Sequence, residues 1–346
     1  TARATVWQAL GALGALRLAL PVDAGGDGAG LGCLVVVAEL MGRQLYQSPF
    51  FDTVTAAELL LASGGAWRPR LARIAAGECS IALAWRDSGR QRTSDWAELE
   101  ASSPDRAGTR RVRAMRRFVP FAREVDGLLL AGRTAEGPSL ALVPCERANL
   151  SIRRQDEITR GDVCAIRFED TTVERDEWLE RPGAAAAIWT ATMPSRQVRH
   201  AAYLVGLAQG SFDGTLRYAK ERRQFGQPIS RLQSIGFRLA ALATRIEATR
   251  HLTHFAAWRI DQGEDSRLTA VQALAMAGDL ARDTTTQAIQ IHGAHGMTEQ
   301  SEAQRYYRRA ALDVLWLGAP SALRGQGVRW LAERVTTPAN APGGER

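Results

Sequence analysis

The chain has 346 residues, of which 45% are hydrophobic and 23% charged, the balance of a globular protein with room for two or three packed units. No apolar run reaches the about 18 residues that a spanning helix needs, which excludes a transmembrane segment. The net charge of +7 comes almost wholly from arginine, with Lys220 the single lysine. The arginines are spread along the chain near Asp and Glu, without an aromatic-interleaved basic stretch, so nucleic acid is not an expected partner.

Cys33, Cys79, Cys145 and Cys164 show no Cys-x-x-Cys spacing. This excludes a zinc site and a disulfide framework, fits a reducing cytoplasm, and predicts buried or half-buried free thiols. The first residues lack the apolar core of a secretory leader.

In chain order, apolar spacing predicts a helix from Trp7 to Leu20 that Pro21 ends. The Gly-rich stretch Asp23 to Gly30 reads as a loop. Because it follows no strand and carries no Lys-Ser/Thr, it does not read as a phosphate cradle. Further helices are expected at Leu31–Leu45, Val54–Leu61 and Trp67–Ala76. From Gly77 the texture changes to strand-length runs at Ser80–Trp85, Gly127–Ala131, Ser139–Val143 and Cys164–Phe168. Beyond Pro182 long helices are predicted over 196–224, 232–262 and 266–292, with turns at Gly263 and at Gly293 and Gly296. Within the second, Leu239, Leu242, Ile246, Ala248, Leu252 and Phe255 recur at three- and four-residue steps.

The order helices, strands, helices predicts a multidomain α+β chain rather than a doubly wound sheet. The expected units are an N-terminal helical domain (1–76), a middle β-barrel or sandwich (77–186), a C-terminal four-helix bundle (187–335) and a flexible tail (336–346).

Two segments carry a resemblance. Tyr218-Ala219-Lys220-Glu221-Arg222-Arg223-Gln224-Phe225-Gly226-Gln227-Pro228-Ile229, with Gln233 after it, resembles the Y-A-x-x-R-x-Q-F-G-x-P-I…Q stretch of acyl-CoA dehydrogenases. Gln290-Ile291-His292-Gly293-Ala294-His295-Gly296-Met297 resembles that family's Q-x-x-G-G-x-G loop, with Ala294 at the second glycine. Val22 to Gly30, Gly42-Arg43, Gly77-Glu78 and Gly206-Leu207-Ala208-Gln209 are similar to shorter family signatures in the right order.

The resemblance implies FAD as cofactor and an acyl-CoA or acyl-carrier-protein thioester as substrate. It also implies assembly as a homodimer, homotetramer or heterotetramer with a homologous chain. Arg222, Gln224, Phe225 and Gln233 would meet the adenylate end of FAD across a subunit interface, a guanidinium suiting a diphosphate and a ring an adenine. Gln290 and Gly293 would approach the diphosphate from the neighbouring chain. The bland alternatives are a helix-terminal Arg222 bridging to Glu221 or a carbonyl, a core ring at Phe225 and an ordinary tight turn at Gly293 and Gly296.

The catalytic positions depart from the family pattern. The reaction needs a carboxylate base near the substrate α-carbon. Alignment on Gly318 puts Leu317 at that place, with Asp313 one helical turn earlier and expected to face the pocket only with a changed backbone. The alternative base position on an earlier helix falls on Arg196 or Ser195, neither a carboxylate. Arg196 reads either as a substrate or phosphate ligand or as a solvated residue at a helix start. Trp85-Arg86-Asp87 replaces the family's T-E-P. Phe118 stands at the flavin-facing Trp, as flavin neighbour or core ring, and Pro120 replaces a Thr whose hydroxyl would bond the flavin.

Two functions follow within the family. One is a degenerate partner lending Arg222, Gln224 and Phe225 to a catalytic homologue. The other is a homo-oligomeric dehydrogenase using a different base from among His200, His251, His254, His292 and His295, the last two more suited to cofactor or surface roles. A scaffold or lyase that kept the fold and lost the flavin is the alternative from another class.

Overall fold

The computed structural model describes residues 2–88, 95–159, 161–180 and 183–336; most of the expected tail lies outside them. Four helices come first: α1 (Ala2–Ala12), α2 (Gly30–Arg43), α3 (Phe50–Ala62) and α4 (Arg68–Ala75). The helix expected through Leu20 stops at Ala12 because Gly14 turns the backbone into the left-handed region at φ 73°. Only a 3-10 turn, Arg17–Ala19, follows. The start of α2 is capped from far along the chain: Asp261 accepts from the N–H groups of Leu31 and Gly32 at 2.7 and 2.9 Å. A carboxylate there satisfies orphan donors and meets the positive end of the helix dipole.

Strands β1 (Ile81–Ala84), β4 (Gly127–Thr134) and β5 (Gly137–Pro144) form one sheet, with β1 parallel to β4 and β4 antiparallel to β5. Strands β2 (Glu100–Ala101), β3 (Arg110–Pro120), β7 (Val163–Val173) and β6 (Leu150–Gln155) form a second, antiparallel sheet in that order. Arg116 of β3 is buried and ties this sheet to the first, donating to the Ala131 carbonyl at 3.1 and 2.9 Å and to that of Glu98 at 3.0 Å.

The C-terminal part holds α5 (Ala186–Ala191), α6 (Met193–Glu221), α7 (Gln233–Asp261), α8 (Arg267–His292), α9 (Glu302–Asp313) and α10 (Pro320–Thr336). A hairpin of β8 (Arg223–Gln224) and β9 (Gln227–Pro228) separates α6 from α7. The fold is therefore α+β: N-terminal helices, a β middle and a C-terminal helical bundle. Helix α6 is its axis and meets α2 backbone to backbone, for a Cβ on Gly42 would lie 1.9 Å from the Tyr203 carbonyl and one on Gly206 1.9 Å from that of Glu39.

The apolar stripe of α7 departs from its expected course. Leu239, Leu242 and Ile246 are buried, but the row continues through Thr249, Thr253, Ala256 and Ala257, leaving Ala248 and Phe255 outside. Each Thr hydroxyl donates to a carbonyl of its own helix, at 2.7 Å to Arg245 and 2.8 Å to Thr249, so threonine enters the core with its polar group satisfied. Cys79 and Cys164 are buried and Cys145 half-buried, whereas Cys33 is exposed, contrary to the expectation for all four thiols. No helix among the described residues is long and apolar enough to cross a membrane.

Candidate active site and cofactor edge

Helices α3, α6 and α9 enclose a cavity of about 90 Å³ against the ends of β1, β3 and β7. From α3 comes Asp52, whose Oδ2 accepts from the Leu83 N–H at 3.0 Å. Burial pushes its carboxyl up to about 6. Helix α6 supplies Arg196, Arg199, His200 and Tyr203. Arg199 is held by both oxygens of Glu58 and, at 3.0 Å, by the Thr55 hydroxyl. Arg196 is only 5% exposed, its guanidinium lies 4.4 Å from the Trp189 ring centroid, and its Nη1 has no partner. The solvated alternative for Arg196 is thus overturned. Ser195 is half-buried and belongs to a different, outer depression with Pro194 and Thr190.

Helix α9 supplies Arg309 and Asp313, paired Nε to Oδ2 at 2.5 Å, and Arg309 also donates to the Tyr203 hydroxyl at 3.2 Å. The α9 helix ends at Asp313 and a run of turns carries the chain on, so Asp313 and Leu317 both reach the cavity wall. Expected from the sequence to face the pocket only with a changed backbone, Asp313 lines the cavity at the point where α9 gives way to turns. Leu317 is buried and non-ionisable. His200 is the one histidine among the described residues that faces the cavity; its Nε2 lies 2.7 Å from the Asp313 carbonyl, and burial lowers its pKa.

A buried cation lies beside Trp316 of the cavity wall. Arg86, immediately past β1, is buried and donates to the Trp316 carbonyl; its guanidinium carbon lies 4.3 Å from the Trp85 centroid and 5.2 Å from that of Trp316. On β3 the register against β7 slips between Arg116 and Val119. Phe118 sits in this bulge at φ 57°, half-buried, its N–H donating to Gln155 Oε1 at 3.0 Å. Pro120, two residues on, reaches the cavity wall without a hydroxyl or an N–H.

The second region lies at the other end of α6. The helix stops at Glu221, Arg222 is extended, and the β8–β9 turn puts Phe225 at φ 52° and Gly226 at φ 76°. Phe225 is 88% exposed, which overturns a core ring. Arg222, Gln224 and Gln233 are exposed, and among the described residues their side chains make no hydrogen bond or ion pair. Gln290 is exposed near the end of α8, and Gly293 leaves that helix at φ 62°. His292 joins the two segments by stacking on Tyr218, centroids 4.2 Å apart, with His295 at 6.1 Å from the same ring.

Sequence reasoning missed Asp52. Its signal is a carboxylate inside the apolar run Phe50-Phe51-Asp52-Thr53-Val54, where burial on one helical face is expected.

Residues 183–332 match the family profile described as acyl-CoA dehydrogenase, C-terminal domain. The C-terminal part of the chain is therefore similar to the acyl-CoA dehydrogenase family, whose members are flavoproteins, and the whole chain shares that family's fold. Among curated relatives, the protein named Probable acyl-CoA dehydrogenase YngJ of Bacillus subtilis is 32% identical over 198 residues, 56% of this chain and 52% of YngJ. The matched segment spans about half the length of the curated relatives. Butyryl-CoA dehydrogenase of Megasphaera elsdenii superimposes with a TM-score of 0.87 at 22% identity, covering 95% of this chain and 90% of that one. A chain of the ChsE4–ChsE5 complex of Mycobacterium tuberculosis does so with 0.84 at 22% identity, covering 97% and 89%. At these identities the two structures share the fold.

Proposed function

We propose that this chain is the non-catalytic half of a mixed acyl-CoA dehydrogenase, lending Arg222, Gln224, Phe225 and Gln233 to FAD held by a homologous catalytic chain. The observation that carries this is a pairing of opposites: an unpartnered, outward-facing cofactor edge and a small inner cavity. At about 90 Å³ the cavity is well below the roughly 300–1,000 Å³ of ordinary small-molecule pockets, and Pro120 and Leu317 stand where the family places a flavin-bonding hydroxyl and its base. A flavin ring with an acyl thioester does not fit there. The outer residues do fit the cofactor's other end, with a charged fork for phosphate and a bare ring for adenine. His200 on the cavity wall and Arg222 at the cofactor edge are separated along α6 by roughly 33 Å at 1.5 Å per residue, which favours service to a neighbour's cofactor. The ChsE4–ChsE5 neighbour is itself described as a complex of two chains.

The test is co-expression with the acyl-CoA dehydrogenase chains of the same genome. A stable mixed assembly should retain FAD, and Arg222→Ala in this chain should weaken retention by tenfold to a hundredfold, as for a lost charge-assisted pair. Unchanged flavin content in that variant assembly would refute the assignment.

A self-sufficient dehydrogenase is favoured by one observation. Asp52 faces the cavity with no ion pair of its own, while Asp313 is held by Arg309 and Asp162 by Arg123 at 3.1 Å. Such an enzyme would lose its turnover in Asp52→Asn.

A further inference from the structure

The inner cavity has a chemistry of its own, separate from the cofactor edge. Of its cations, Arg199 is neutralised by Glu58 and Arg309 by Asp313. Of its carboxylates, Asp162 is neutralised by Arg123 and Asp313 by Arg309. Arg196 and Asp52 are left, near enough to attract each other but without a salt bridge within 4.0 Å among the described residues. Arg196 is 5% exposed and its Nη1 has no partner. A buried guanidinium with an open donor is costly unless something accepts from it. Stacking on Trp189 fixes the plane of the group without satisfying its N–H. Phe51, Leu83, Trp316 and Leu317 supply an apolar wall to the same space. At about 90 Å³, against the roughly 10–15 Å³ that one water needs by the same measure, the cavity has room for a small ligand.

We infer that the cavity is a binding site for a free short-chain carboxylate, its head on Arg196 and its few carbons against Leu83 and Leu317. A carboxylate offers the acceptor geometry that a guanidinium fork prefers, and a short alkyl tail matches the remaining wall. Among the charged groups that face this space, Asp52 opposes the anion most directly, because it has no cation bonded to it. Its carboxyl, held up by burial, takes a proton readily and then donates to the ligand instead of repelling it. His200 faces the same space with Nε2 on the Asp313 carbonyl and is kept uncharged by burial. The site requires neither flavin nor a second chain, so the outcome of its test and that of the mixed assembly are independent.

The experiment is a calorimetric and tryptophan-fluorescence titration of the purified full chain with sodium butyrate at pH 7.5, beside butyramide and sodium chloride. The expected result is one saturable site for butyrate, with butyramide at least tenfold weaker and chloride without saturable effect. Arg196→Gln should weaken butyrate at least tenfold, the size of a lost charge-assisted hydrogen bond. Asp52→Asn should tighten it severalfold by removing the opposing charge. Absence of saturable binding, or equal binding of butyrate and butyramide, overturns the site. If Arg196→Gln does not fold, by circular dichroism, the butyrate-to-butyramide ratio and the Asp52→Asn shift decide it alone.

Discussion

Arg86 donates to the carbonyl of Trp316, a residue 230 positions further on, and lies between the rings of Trp85 and Trp316. The contact joins the β middle to the turn after α9, beside the inner cavity that Trp316 lines. Burial lowers the Arg86 pKa to about 10, still far above neutrality, so the residue stays charged and its ring contacts are cation–π contacts. Arg86→Ala removes the hydrogen bond to a half-buried carbonyl and both ring contacts. It should destabilise the chain by about 2–3 kcal/mol, read from the midpoint of urea unfolding at unchanged slope.

Asp52 binds its proton more tightly folded than unfolded, with a pKa of about 6 against an ordinary 3.8. Its burial therefore costs stability at pH above 6, and that cost disappears as pH falls through 6 toward 4. Asn at this position can still accept from the Leu83 N–H. Asp52→Asn should raise stability at pH 7.5 by about 1–3 kcal/mol and flatten the rise between pH 7 and pH 5, both measured by denaturant melts across that range.

Gly206→Ala places a methyl group 1.9 Å from the Glu39 carbonyl, on rigid backbone. Helices α2 and α6 would have to separate, opening the packing of the largest core. The expected loss is about 3 kcal/mol or more, visible as a lowered thermal midpoint or failure to fold.

Phe225→Ala separates the two roles weighed for that ring. An 88% exposed side chain contributes little to the isolated fold, so unfolding of the chain alone should change by about 0.5 kcal/mol or less. A core ring would cost about 3–5 kcal/mol, and melts of the two proteins distinguish these values.

The long helices were legible because their apolar residues recur at helical spacing over many turns, and the R-x-Q-F-G segment because its residue types have no packing role at a turn. β3 was readable only through its resemblance to a family strand: five arginines in eleven residues hide its alternation, and the burial of Arg116 rests on carbonyls from β4 and Glu98, far away in sequence. Helices α9 and α10 fall within the expected helical bundle over 187–335, but charged residues and glycines dilute their apolar pattern and hide their separate bounds. The cavity was the least legible part. Asp52, Arg196 and Asp313 meet there from three helices, and neither the missing partner of Arg196 nor the raised pKa of Asp52 exists until those helices pack.

The central claim, that this chain serves a neighbour's flavin and not its own, is tested most directly by visible absorption. The spectrum is recorded for the chain alone, the chain with added FAD, and the chain co-purified with a homologous dehydrogenase chain. The chain by itself should be colourless and take up no FAD, and the mixed assembly should be yellow and lose its flavin with Arg222→Ala. A chain that alone holds stoichiometric FAD and bleaches on addition of an acyl-CoA would contradict the claim.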